Sequence, residues 1–430
     1  MDGAAARPVV GLFGAFDTGD LGEVALRRVL EAELTRLRPD IELVALAPFG
    51  AERPIPGDEG RPAQPLQPVE SGESLILDAL VITGDVLGDD EHWAARYPTA
   101  IEEMAGRGVA ALALAGTRGG HDDAPSVTWF GVGTAGGEVD VAGLAGKDVW
   151  ARDAATQERL GGTAVQSGDP LLLACRVLAG DALRRRADLL RMCGALPAGR
   201  RIVIEAANAL AASPSSEQLV EAVAAALRGD PRLSVVIATL NPTGQPSLDS
   251  AFRVPGLVAE RVHHLPAWVG LDDVAAAMSG SIAVVATTPA CAHLAASLGV
   301  PVTAIDTAGG DRFDPAILVL PVVAPDALQT LIAGAHPVVI DKAVETLDGA
   351  LVELAERLPR TASPAPTRFG ADPVASALAI LQQRLVDERT ALQAELSRLQ
   401  AELDHLRASP EHRIARPLRE GYQRWQRRRT

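Results

Sequence analysis

Glycines and carboxylates gather just after the first apolar run of this 430-residue chain, where Gly11, Gly14 and Gly19 are interleaved with Asp17, Asp20 and Glu23. Glycine lets the backbone approach a ligand, and the start of the helix that follows offers free N–H donors, so Gly14 and Gly19 suit a phosphate or a carboxylate. The spacing matches neither the dinucleotide fingerprint nor the Walker pattern, which would need a Lys after its last glycine, so NAD and ATP are poorly supported. An ordinary tight turn between strand and helix is the alternative.

Asp17, Asp20, Glu23 and Asp85, which follows Gly84, fall at expected strand ends, where a general base could accept a sugar hydroxyl proton. Such residues equally cap helices. Arg118 and Arg152 could clamp a phosphate or carboxylate, although surface ion pairs are the commoner use of arginine. His263 and His264 lack acidic or cysteine partners nearby and read as a loop pair, not a metal site. Cys175, Cys193 and Cys291 form no CxxC pair, so neither a zinc site nor a disulfide framework is expected.

The elements that must position these residues alternate. Apolar runs predict strands over 8–13, 41–46, 77–83, 109–114, 148–151 and 163–166, and helical spacing predicts helices over 23–37 and 97–106. A Pro/Gly/Glu-rich surface loop is expected over 48–73. One long helix over 170–193 leads onward. The alternation restarts with strands over 200–205, 233–239, 282–286, 300–305 and 317–323 and helices over 216–227, 271–278, 291–298 and 342–358. This pattern predicts an α/β fold of two Rossmann-like, doubly wound domains, 1–175 and 176–360.

Composition agrees. Hydrophobic residues make up 47% and aromatics 3%, so Ala, Val, Leu and Ile must pack the interior, as in helix-covered parallel sheets. No run of about 18 apolar residues or basic N-terminal leader is present, and a protein of the cytoplasm is expected. The net charge of −15 hides a basic end: eight arginines from Arg407 onward against Glu411 and Glu420 give +6, leaving −21 elsewhere. So acidic a body excludes general nucleic-acid binding.

Past a Pro/Ser-rich linker at 361–375, Leu385, Leu392, Leu399 and Leu406 recur every seven residues, predicting a coiled coil over 376–407 and a homodimer through that seam. An amphipathic helix folded on its own body is the alternative. In the tail, 408–430, Ile414, Leu418, Tyr422 and Trp425 share one helical face ringed by arginines. It reads either as a segment lying on an anionic membrane, at its inner face, or as a solvated or body-docked helix interrupted at Pro417.

The stretch Gly11-Leu-Phe-Gly-Ala-Phe-Asp-Thr-Gly-Asp-Leu-Gly-Glu23 resembles the opening of the polysaccharide pyruvyl transferase family, with Asp17 where Asn is usual. Asp78-Ala-Leu-Val-Ile-Thr-Gly-Asp85, Gly116-Thr-Arg-Gly-Gly120, Val149-Trp-Ala-Arg-Asp153 and Ser167-Gly-Asp-Pro170 resemble later segments, and the set spans roughly residues 8–310. The resemblance implies two Rossmann-like domains in the GT-B manner and transfer of pyruvyl from phosphoenolpyruvate, as donor substrate, to a sugar or polysaccharide precursor of the bacterial cell surface. No cofactor or metal is implied.

The chain departs from that family where an Arg-Leu-His tripeptide is usual, with Thr288 and Ala290 in the Arg and His positions. His293 lies almost a helical turn onward. It is the stand-in for a proton-moving imidazole, or a helix-start histidine packed at the cleft wall. The same stretch also resembles the nucleotide-sugar end of GT-B glycosyltransferases such as the heptosyltransferases, which implies that Thr287 and Thr288 contact a donor diphosphate. The resemblance makes a pyruvyl-transferase-like protein of bacterial cell-surface polysaccharide biosynthesis the expected function, with a nucleotide-sugar glycosyltransferase and a catalytically degenerate binding or scaffold subunit as the alternatives.

Overall fold

The computed structural model describes residues 7–47, 63–65, 75–87, 126–134, 148–161, 164–205, 215–240, 259–266, 269–305, 312–320, 328, 332, 338–362 and 367–369. Two compact units divide the chain, Met1–Pro68 with Glu73–Phe369 and Val69–Gly72 with Gly370–Thr430; the second lies outside the described residues.

The first sheet is built from β1 (Val9–Phe13), β2 (Glu42–Ala47), β3 (Gln64–Pro65), β5 (Ala79–Leu87), β6 (Ser126–Thr134), β7 (Asp148–Ala151) and β8 (Val165–Gln166). Their order is β3-β2-β1-β5-β6-β7-β8. A short β4 (Leu75–Leu77) pairs antiparallel with β15 (Thr367–Phe369). The second sheet holds β9 (Arg200–Glu205), β10 (Leu233–Ala238), β11 (Val262–His264), β12 (Ala283–Ala286), β13 (Val302–Ile305) and β14 (Leu318–Leu320), ordered β11-β10-β9-β12-β13-β14. Every pairing within both sheets is parallel. This is the α/β architecture of two Rossmann-like, doubly wound sheets expected from the alternation. Strand order reverses beside the first strand of each sheet, between β1 and β5 and between β9 and β12, and ligands of doubly wound sheets bind at the carboxyl ends of strands at such points.

The helices that cover the sheets are α1 (Leu21–Leu37), α2 (Ala154–Arg159), α3 (Gly180–Met192), α4 (Ser215–Gly229), α5 (Leu271–Ser279), α6 (Pro289–Ser297) and α7 (Asp341–Arg357). Buried Val24, Leu30 and Leu34 of α1 and Val274 and Ala277 of α5 share one apolar cluster with Val10 and Leu12 of β1 and Val203 of β9. Each such Val or Leu contributes ~1.5–3 kcal/mol by leaving water. Two further contacts join the halves: the Leu21 N–H donates to the Leu240 carbonyl at 2.6 Å, and a Cβ on Gly22 would lie 3.0 Å from that of Ala290. Helix α7, although it follows the second sheet, returns to α1. There Arg38 donates to the carbonyls of Ala355 (2.9 Å), Leu358 (3.1 Å) and Pro359 (2.7 Å), satisfying acceptors that the end of a helix leaves open.

The structure corrects several sequence expectations. The single helix over 170–193 is a 3-10 turn, Pro170–Arg176, followed by α3; the Asp169 carboxylate caps the turn through the Leu171 N–H, and a fresh helix starts at Gly180. The strand over 77–83 runs on to Leu87, and Asp78 separates it from β4 by taking the Val9 N–H on its carboxylate at 2.7 Å. His263 and His264 lie on β11, paired with β10, and not in a loop. Strand β6, central between β5 and β7, was not anticipated. The expected elements over 97–106 and 109–114, most of the 48–73 loop, Arg118 with its turn, the coiled coil and the basic tail lie outside the described residues. Among the described residues no helix is long and apolar enough to cross a membrane.

Candidate ligand-binding site

The glycine turn after β1 is held by its own chemistry. Thr18 donates its hydroxyl to the Ala15 carbonyl at 2.8 Å, Gly19 adopts φ 77°, and Phe16 is buried beneath. Asp20 is the N-cap of α1, its Oδ1 accepting from the N–H groups of Gly22 (2.7 Å) and Glu23 (3.4 Å). The first helical donors, which could have met a phosphate, are thus engaged by Asp20. Asp17 sits half-buried on the same turn.

Within the first turn of α1, Glu23 reaches β5, where its Oε1 accepts from the Asp85 N–H at 3.4 Å. Gly84, at φ 83°, is needed there, because a Cβ would lie 2.5 Å from Glu23 Oε2. Asp85 in turn accepts from Arg152, which follows β7. The Arg152 Nε lies 3.6 Å from both Asp153 Oδ2 and Asp169 Oδ2. Burial opposes the charge on Arg152, but Asp85, Asp169, Asp153 and Glu23 outweigh it and raise its pKa. Four carboxylates therefore already hold this guanidinium, and it is not an open clamp for a phosphate.

The chain of contacts continues into the second half. His293, on α6, shares a hydrogen bond of 2.9 Å between its Nδ1 and Asp169 Oδ2, with both side chains 2% exposed. On the other side of the ring the Asp314 backbone N–H donates to Nε2 at 3.1 Å. A backbone amide only donates, so Nε2 carries the lone pair and Nδ1 the proton, which assigns the neutral Nδ1–H tautomer. Both ring nitrogens are engaged, and neither is left to move a substrate proton. Burial works against the Asp169 charge, yet the hydrogen bond from His293, the Arg152 charge and the Leu171 N–H hold its carboxyl below the usual value.

Thr287 and Thr288 are engaged by a residue that sequence reasoning did not single out. Glu205, last in β9, accepts on Oε2 from the N–H groups of Thr287 and Thr288 (both 2.8 Å) and from the Thr287 hydroxyl (3.1 Å). Its Oε1 accepts from the Thr288 hydroxyl at 2.7 Å. Burial raises the Glu205 pKa, with the four donors opposing it. Burial, helped by Glu205, also pushes the Cys291 thiol well up, which leaves it a poor nucleophile. The carboxylate occupies the start of α6 at the strand-order reversal of the second sheet, where a donor diphosphate was expected from the sequence. Nothing in the sequence between Glu205 and Thr287 signals that contact.

Beside this polar chain lies a cavity of about 710 Å³. Arg152, Asp153, Gly168 and Asp169 approach it from the first sheet, and His293, Arg312, Phe313 and Ile317 from the second. Phe313 and Ile317 are buried and anchor the segment that carries Arg312. The Arg312 Nε is buried without a hydrogen-bond partner, and among the described residues no carboxylate pairs with this guanidinium. Sequence reasoning missed Arg312, an isolated arginine with no surrounding motif. Among the described residues no cluster of His, Cys, Asp and Glu could hold a metal ion.

No family model matches the chain, and no curated protein matches it in sequence. Solved structures of similar fold include UDP-GlcNAc 2-epimerase from Neisseria meningitidis bound to UDP-GlcNAc, 13% identical, TM-score 0.46, covering 81% of this chain and 100% of that one. UDP-GlcNAc 2-epimerase from Methanocaldococcus jannaschii in complex with UDP-GlcNAc and UDP is 10% identical, TM-score 0.43, covering 88% of this chain and 99% of that one. Escherichia coli heptosyltransferase WaaC with ADP is 14% identical, TM-score 0.39, covering 79% of this chain and 99% of that one.

Proposed function

We propose that this chain is a GT-B-type protein that binds a nucleotide sugar in the cavity between its two sheets and acts in glycosyl transfer. The observation that carries the reading is Arg312, a guanidinium without a carboxylate partner among the described residues, lining a cavity of about 710 Å³. That volume lies within the 300–1,000 Å³ of small-molecule sites, and an arginine fork matches phosphate bidentately. Apolar Phe313, Ile317 and Leu172 offer surface for a ring, and the carboxylates of Asp153 and Asp314 stand at the same cavity to meet sugar hydroxyls.

Pyruvyl transfer is the weaker reading. Thr288 and Ala290 stand in the Arg and His positions, Thr288 is committed to Glu205, and Arg152 is neutralised by carboxylates. A binding subunit without turnover is a second reading, favoured by the engagement of both His293 nitrogens.

Thermal stabilisation by a panel of nucleotide sugars beside phosphoenolpyruvate tests these readings. A ligand at 100 times its Kd adds about 2.7 kcal/mol to stability. The proposal expects a nucleotide sugar to stabilise the wild type and to lose most of that effect with Arg312→Gln. Stabilisation by phosphoenolpyruvate alone would overturn it, and binding without transfer to any sugar acceptor would favour the subunit.

A further inference from the structure

The segment that carries Arg312 is held by apolar anchors, by the pairing of its continuation β14 with β13, and by the His293 imidazole. Phe313 and Ile317 are buried in the core, the Asp314 carboxylate accepts from the Ala316 N–H at 2.9 Å, and the Ile317 N–H donates to the Asp314 carbonyl at 2.9 Å. These contacts shape the turn within itself. Downstream the segment runs into β14, which pairs with β13; ahead of that strand, among the described residues, the Asp314 N–H is the donor that crosses to another element, and it ends on His293 Nε2 at 3.1 Å. The ring is fixed in turn, because Nδ1 donates to Asp169 Oδ2 at 2.9 Å and Asp169 is pinned by the Leu171 N–H and by Arg152.

We propose that His293 is the positioning residue of the ligand site: through its neutral Nδ1–H tautomer it ties the Arg312 segment of the second sheet to Asp169 of the first, holding the Arg312 guanidinium at the cavity. This rests on the reading of the cavity as an anion-binding site and adds to it a residue that acts without touching the ligand. The donor–acceptor order is specific. An acceptor is required at the Nε2 position and a donor at the Nδ1 position, and no side chain but neutral histidine supplies both at this spacing.

The two amides divide those tasks. In His293→Gln the side-chain oxygen reaches the Nε2 position and can accept from the Asp314 N–H; in His293→Asn the shorter amide can donate to Asp169 but cannot reach the segment. Two measurements on the full chain are expected to separate them: hydrogen exchange at the Asp314 amide without ligand, and binding of inorganic pyrophosphate as the anion probe. Each amide keeps one end of the bridge and cuts the other, so both variants are expected to weaken pyrophosphate binding about fivefold, the worth of one ordinary hydrogen bond, while only the Asn variant speeds Asp314 exchange. Pyrophosphate binding unchanged in both variants, or an Asp314 amide as protected in the Asn variant as in wild type, would overturn the proposal.

If the Asn variant fails to fold, nitrogen NMR of the wild-type imidazole decides: a protonated Nδ1 and a bare Nε2 coupled to the Asp314 amide support the tether, and a protonated Nε2 overturns it. Pyrophosphate that fails to bind wild type, with the exchange pattern as expected, would contradict the ligand reading while supporting the tether.

Discussion

Asp169 and His293 stand 124 residues apart in the chain and 2.9 Å apart in the fold, both almost fully buried, one at the edge of the first sheet and one midway along a helix on the second. The pair closes a path of polar contacts that begins at Glu23 and passes through Asp85 and Arg152. Four carboxylates surround its one guanidinium, and Asp169 also accepts from His293 and from the Leu171 N–H, so removing the Asp169 charge weakens three buried contacts at once.

Asp169→Asn should therefore destabilise the protein by about 3 kcal/mol at neutral pH. The folded carboxyl of Asp169 is held below its unfolded value of about 3.9, so the unfolded state binds more protons and stability rises with pH through that window. The wild-type contribution is complete above about pH 4 and disappears as pH falls through the lowered folded pKa. Urea titrations from pH 2 to 7 should show the gap between the proteins closing on the acid side; a gap independent of pH would contradict the assigned direction.

Glu205 has the opposite sign. Its folded pKa lies above the unfolded value of about 4.3, so the folded state binds more protons and wild-type stability falls as pH rises through the raised pKa. Glu205→Gln retains an acceptor for the Thr287 and Thr288 N–H groups and can donate to the Thr288 hydroxyl, so the variant should fold. Its stability relative to wild type should increase with pH, read from the same titrations. A flat difference would show that burial does not set the Glu205 pKa.

Gly84→Ala forces a side chain into φ 83° and against the Glu23 carboxylate. A loss of about 1–3 kcal/mol is expected, and Glu23→Ala in the same chain should recover the steric part while leaving the backbone strain. Full additivity of the two substitutions would contradict the close approach.

Arg38→Met removes three hydrogen bonds at the end of α7 and should cost about 1–3 kcal/mol, with faster amide exchange in α7 than in α1. Uniform exchange in both helices would place the role of Arg38 elsewhere.

What was legible in the sequence was local. Alternating apolar runs located β1, β2, β7, β9, β10, β12 and β13, because buried parallel strands read as unbroken Val, Ile, Leu and Ala. Strand β6 escaped because Gly131 and Gly133 give it the look of a loop. Gly133 is required by the approach of Arg152 and Asp85, a reason that exists only in three dimensions. Asp20 could be read either as a base or as a cap, and the structure shows its carboxylate on helix donors. The Glu205 and Asp169 contacts join residues 82 and 124 positions apart, and a turn of Thr287 and Thr288 looks the same in sequence whether a ligand phosphate or an internal carboxylate fills it. Arg312 announces nothing by its neighbours, and only the cavity gives it meaning.

The central claim, that one ligand is held between the two sheets, is tested most directly by the hydrogen-exchange footprint of the full chain with the nucleotide sugar that stabilises it best. Slowed exchange is expected together in residues 152–154 and 168–172 of the first half and 312–319 of the second, and should be lost with Arg312→Gln. Protection confined to one half, or centred on the Asp17–Asp20 turn with the Arg312 segment unchanged, would contradict the account.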